Sequence, residues 1–108
     1  MTSKVFGYCR VSSSDQNLDR QIKAMLDLGI NERDIYTEKE SGKDTNRPQY
    51  QAIRAQLREG DTLVIKSLDR LGRNYDDIKT EWSYITREKK AYIKVIDMPI
   101  LDTTNTQT

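Results

Sequence analysis

The chain is predicted to fold as an α/β domain: three layers, with a mainly parallel sheet of four to five strands and helices on both faces. Two observations carry this expectation. Short apolar runs of strand length alternate with stretches of helical periodicity over residues 4–96, the pattern of parallel strands joined by crossover helices. In addition, the run at residues 62–66 (TLVIK) is apolar almost without interruption, as expected for a strand covered on both faces. A length of 108 residues suits one such domain with a modest core.

The elements follow in order. Residues 4–11 read as a first, central strand. A helix is predicted from about Asp15, with Leu18, Ile22, Met25 and Leu26 on its apolar face and Gly29 as its stop. Residues 34–38 read as a short second strand, and the polar segment 38–47 (EKESGKDTNR) as a mobile loop. Pro48 is suited to the first position of a second helix, which turns Tyr50, Ile53 and Leu57 to one side and closes at Gly60. After the third strand at 62–66, Asn74 is placed to cap a third helix, with Asp76 and Asp77 in its first turn. Tyr75, Ile78, Trp82 and Ile85 form its predicted apolar stripe, and Trp82 is read as packing. Residues 91–96 (AYIKVI) read as a fourth strand. The division expected is a domain over 1–97 and the start of a linker over 98–108.

Composition narrows the function. Eighteen basic and seventeen acidic residues leave a net charge of +1, so any contact with nucleic acid must be local. The chain has no histidine and one cysteine, which excludes an internal disulfide, a Ser-His-Asp triad and a zinc site of the usual ligands. The lone Cys9 suits a reducing cytoplasm. No membrane-length apolar run or signal-peptide pattern is present.

The segment 7–21 (GYCRVSSSDQNLDRQ) is the most informative. Strand alternation puts Arg10 and Ser12 on one side of the sheet, at the end of the first strand. A second cluster, Leu68-Asp69-Arg70-Leu71-Gly72-Arg73, follows the third strand and adds two guanidiniums. Ligands of parallel sheets bind beyond the strands' carboxyl ends, where Ser12, the 38–47 loop and the 69–73 turn all fall. A serine hydroxyl is a weak nucleophile unless neighbouring cations stabilise its alkoxide. Arg10, Arg47, Arg70 and Arg73 supply forks that match phosphate oxygens, and one oriented donor is typically worth roughly 3 kcal/mol of barrier. Asp69 either orients the arginines or handles a proton. Each feature has a plainer reading: Ser12 to Ser14 as a helix-capping turn, the Asp69/Arg70/Arg73 group as a surface ion-pair cluster, and Arg47 as a loop cation. The stretch Gly42-Lys43-Asp44-Thr45 lacks the earlier glycine and the following helix of a phosphate loop.

Taken jointly, these motifs resemble the catalytic domain of the serine recombinases, the resolvase/invertase family. The matching residues are Tyr8-x-Arg10-Val11-Ser12 with Gln16 and Leu18-Asp19-x-Gln21; Glu38-Lys39-x-Ser41-Gly42 with Arg47-Pro48; Gly60-Asp61; and the whole run 68–73. They keep the family's order over nearly all of residues 4–97.

The resemblance implies a resolvase-like fold and a site-specific DNA recombinase. Ser12 is similar to the nucleophile that forms a 5′-phosphoserine link to DNA and releases a 3′ hydroxyl. Arg10, Arg70 and Arg73 match phosphate-binding arginines, and Arg47 a further one on the loop. Gln21, Ser41 and Asp69 match supporting positions, and Glu38 falls where the family carries an acidic residue. Neither ATP nor a metal is implied, because the ester conserves the bond energy. The implied partners are a double-stranded recombination site and further copies of the protein, a homodimer assembling to a tetramer. Relatives continue into a dimer helix and a helix-turn-helix domain, so the chain is expected to be a fragment that performs little strand exchange alone. The alternative from another class is a non-catalytic DNA-associated or protein-interaction module using the same rim only to bind.

Overall fold

The structure, a computed structural model, describes residues 3–12, 18–40, 47–72 and 74–97; at residues 11, 12, 39 and 40 it describes the backbone alone. Four strands are present among these residues: β1 (Val5–Ser12), β2 (Ile35–Glu40), β3 (Thr62–Ile65) and β4 (Tyr92–Val95). They form one sheet in the order β2-β1-β3-β4, every pair parallel. The helices between them are α1 (Leu18–Asp27), α2 (Pro48–Gln56) and α3 (Tyr75–Ser83). The α/β expectation of a parallel sheet of four to five strands is met at four.

Alternation along the central strands divides the core in two. Phe6 and Tyr8 of β1, Leu63 and Ile65 of β3 and Ile93 and Val95 of β4 are buried with Tyr50, Ile53 and Leu57 of the α2 side, and with Ile85. The intervening Cys9 and Val64 face α1 and are buried with Met25 and Ile30. Gly7 lies under the same helix: a Cβ there would sit 3.1 Å from Met25 Sδ. Both faces of β1 and β3 are therefore dry, which is why these strands read as continuous apolar runs.

Several local expectations change. The second strand, expected over 34–38, runs on to Glu40, so Glu38 stands inside the strand, paired with Arg10, and not at the start of the loop. Leu26 is 43% exposed, and the buried positions on α1 are Met25, as expected, and Gln21. At 3.6 residues per turn, Leu26 lies roughly 90° from the centre of the stripe formed by Leu18, Gln21, Ile22 and Met25. Tyr75 is 71% exposed, with the Lys79 ammonium 5.1 Å from its ring centroid, whereas Ile78 and Trp82 pack on the core and Ile85 is fully buried. Ile85 lies in a π-helical turn, Tyr84–Glu88, that continues α3. The predicted helix start at Asp15, most of the 38–47 loop and the 98–108 linker lie outside the described residues.

Turns are held by identifiable groups. Asn74 caps α3, its side chain accepting from Asp77 N at 2.9 Å. Gly29 and Gly60 end their segments at φ +88° and +91°. The buried Asp61 accepts from Lys4 N at 2.9 Å and Arg58 N at 3.1 Å, tying the start of β1 to the turn before β3.

Candidate active site

In the order β2-β1-β3-β4 the chain moves outward from β1 in opposite directions, which opens a crevice at the carboxyl ends of β1 and β3. Ser12 is the last residue of β1, with its Cα opposite Glu40; its side chain lies outside what is described. Arg10 precedes it by two positions and is buried at 9% exposure. Across the crevice, β3 ends at Ile65 and the chain enters a 3₁₀ turn, Leu68–Arg70.

The two sides of the crevice touch. Arg10 Nη1 donates to the carbonyl of Asp69 at 3.5 Å, a long bond. Gln21, from α1, donates through Nε2 to the carbonyl of Arg10 at 3.4 Å, and its buried Oε1 has no partner among the described residues. The Arg70 side chain is 20% exposed, its Nη1 4.0 Å from Asp69 Oδ1, and its buried Nε has no partner among the described residues. Asp69 itself is exposed and accepts from Ser67 Oγ at 2.5 Å. Leu71 beside it is fully buried, which anchors the turn in the core. Gly72 is required by close approach, because a Cβ there would sit 2.6 Å from Asp77 Cβ and 3.0 Å from backbone atoms of Asp77 and Ile78.

A third segment arrives from the sheet's other edge. Arg47 immediately precedes α2 at φ +48° and donates from Nη1 to Arg70 O at 2.9 Å and from Nη2 to Leu71 O at 3.0 Å. Glu38 caps the same helix: Oε2 accepts from Gln49 N at 3.2 Å and Oε1 from Tyr50 N at 3.2 Å, while Tyr8 OH donates to Oε1 at 3.0 Å. In this arrangement Glu38 holds two backbone N–H groups and a tyrosine hydroxyl. Burial, and then the charge and bond of Glu38, push the Tyr8 phenol well above its ordinary range, with Arg47 and Arg10 opposing. The Cys9 thiol is pushed up to about 11 by burial, against the opposing charge of Arg70. A buried thiol of this kind is a weak nucleophile at neutral pH.

Arg10, Gln21, Arg47, Asp69 and Arg70, predicted from four separate segments, thus stand on one rim with Glu38 behind it. Ser41 and Arg73 lie outside the described residues. Residues 5–108 match the family model described as "Resolvase, N terminal domain". The chain belongs to the resolvase family. It is 45% identical over 75 residues to the Transposon Tn3 resolvase of Escherichia coli, covering 69% of this chain and 40% of that protein. It is 41% identical over 99 residues to a resolvase of Clostridium perfringens, covering 92% of this chain and 52% of that protein. The chain thus spans about half or less of the length of these resolvases. Among solved structures, the N-terminal catalytic domain of TP901-1 integrase superposes with a TM-score of 0.69 at 28% identity, covering 96% of this chain and 84% of that one.

Sequence reasoning missed the groups that brace this resolvase rim. Tyr50 was legible only as core, yet its hydroxyl donates to Glu81 Oε1 at 2.7 Å, and Arg54 Nε donates to the same oxygen at 2.8 Å. Arg54 also lies 3.7 Å from the Tyr84 ring centroid. Nothing in the spacing of residues 50, 54 and 81 signals this network, because it joins two helices distant in sequence. No helix among the described residues is long and apolar enough to cross a membrane.

Proposed function

We propose that this chain is the catalytic domain of a site-specific DNA recombinase, with Ser12 as the nucleophile. The Ser12 oxygen attacks a phosphodiester phosphorus, the bond from phosphorus to the 3′ oxygen breaks, and a 5′-phosphoserine ester and a 3′ hydroxyl result. The serine's proton is lost to the site and one proton is gained by the departing 3′ oxygen, so the step is proton-neutral. Religation is the same step reversed, with the 3′ hydroxyl of the exchanged strand attacking the ester.

The observation that carries this reading is the meeting of Arg10, Arg47 and the Arg70 turn at the carboxyl end of the strand that Ser12 terminates. Fixed guanidiniums there suit the charge of a pentacoordinate phosphorus, each oriented donor contributing roughly 3 kcal/mol. Arg73 and Ser41 complete the set by family position. Asp69 serves the arginines: its carbonyl takes Arg10 and its carboxylate stands near Arg70. Gln21 holds the Arg10 backbone. The substrate is a double-stranded recombination site in the cytoplasm, and the working form is a homodimer that assembles to a tetramer through parts of the protein beyond residue 97.

The test is a recombination site nicked so that religation is blocked, incubated with the recombinase carrying this chain. The wild type is expected to accumulate a covalent protein–DNA adduct; Ser12→Ala is expected to bind the site and form none. An adduct persisting in Ser12→Ala would identify a different nucleophile and overturn the reading. Binding without an adduct in the wild type would favour the non-catalytic module.

A further inference from the structure

Arg47 occupies an unusual position. Its backbone is in the left-handed region at φ +48°, one of two non-glycine residues there among those described. A long, flexible side chain on a strained backbone is held to one geometry only when its surroundings over-determine it. The surroundings here are specific. Two carbonyls, of Arg70 and Leu71, fix the two terminal nitrogens. The face of the guanidinium is covered by Tyr50, with Arg47 Cζ 4.3 Å from the ring centroid. Tyr50 is in turn held on several sides: its side chain is fully buried, its backbone N–H donates to Glu38, its hydroxyl donates to Glu81, and the Tyr8 ring lies 5.3 Å away at 56°.

We propose that Tyr50 is a positioning residue for the recombination chemistry, its ring seating the Arg47 guanidinium against the carbonyls of Arg70 and Leu71. This rests on the reading of the rim as a phosphoryl-transfer site. Arg47 then does two things at once. It cross-links the amino end of α2 to the turn that carries Arg70, and it keeps N–H groups for a phosphate, since the two carbonyl bonds use one N–H on each terminal nitrogen of a fork that has five. Without the ring beneath it, the guanidinium gains rotamers and the turn loses a tether, and misplacement by about 1 Å can lower a rate by roughly 10²-fold. Tyr50 touches no reacting atom in this account.

The test uses the 108-residue chain for structure and the recombinase carrying it for chemistry. In the NMR spectrum of the chain, the Arg47 side-chain N–H signals are expected to be shifted upfield by the ring and to exchange slowly with water. Tyr50→Phe keeps the platform and is expected to keep that signature; Tyr50→Leu fills the space without a π face and is expected to lose it. In the recombinase, Tyr50→Leu is expected to slow adduct formation at saturating DNA by tenfold or more with half-saturation unchanged, and Tyr50→Phe to restore most of the rate. Wild-type Arg47 signals at solvent-exposed positions would overturn the proposal even if Tyr50→Leu fails to fold. So would a folded Tyr50→Leu with wild-type signals or a wild-type adduct rate. Failure of the nucleophile assignment is separate: it appears as an adduct in Ser12→Ala, while the Arg47 signature is read without DNA.

Discussion

Glu38 offers the sharpest check on how this domain is held together. Its buried carboxylate accepts three hydrogen bonds: Oε1 from Tyr8 OH and Tyr50 N, Oε2 from Gln49 N. Glu38→Gln preserves shape but converts one oxygen to an NH₂ group. With the remaining oxygen in the Oε1 position, Tyr8 and Tyr50 stay satisfied, and the new donor faces the Gln49 N–H. One charge-assisted bond is lost and a donor–donor contact replaces it, a cost of about 2 kcal/mol. Glu38→Ala leaves all three donors unserved. Two of the three bonds are buried, and at about 1–3 kcal/mol for each orphaned group the cost is about 4 kcal/mol. For a domain of this size each kcal/mol lowers the melting temperature by about 4 °C or more. Urea unfolding followed by circular dichroism, with the slope checked for constancy, reads both values. Equal stabilities for the two variants, or a loss below about 1 kcal/mol in either, would refute the claim that this carboxylate caps α2 from across the sheet.

Three further outcomes are expected. Gly72→Ala should destabilise the fold by about 1–3 kcal/mol, because the added Cβ meets Asp77 Cβ and the backbone of α3 and not the far end of a flexible side chain; chemical denaturation checks it. Stability should fall with rising pH once pH exceeds about 10: Tyr8 and Tyr50 both titrate higher folded than unfolded, first through burial and then through Glu38 and Glu81 respectively, so the folded state binds more protons there. Each contributes up to about 1.4 kcal/mol per pH unit, present in full below the unfolded value, and Tyr50→Phe should flatten the profile measured by urea titration at several pH values. Asp61→Ala should cost about 2 kcal/mol by the same denaturation assay, because Lys4 N and Arg58 N lose their acceptor.

The chain's own order of residues determines a good deal. Period-2 and period-3.6 patterns locate the strands and helices, because burial on one or both faces leaves a trace in every successive residue. The parallel sheet follows from those alternations, and the rim follows from motifs that stand directly after strand ends: Arg10 with Ser12, and Asp69 with Arg70. What local sequence cannot carry is any contact between segments distant along the chain. Glu38 reads as the junction of the second strand and a polar loop, and nothing local shows that its carboxylate meets the start of an α2 that begins ten residues later. Arg47 reads either as a phosphate fork or as a loop cation, with nothing local to place its fork on the carbonyls of residues 70 and 71, and Tyr50 reads as plain core until its ring, N–H and hydroxyl each acquire a partner. Periodicity reports how wet a position is; which polar atom meets which is settled only when the sheet order brings β1, the turn after β3 and the start of α2 to one edge.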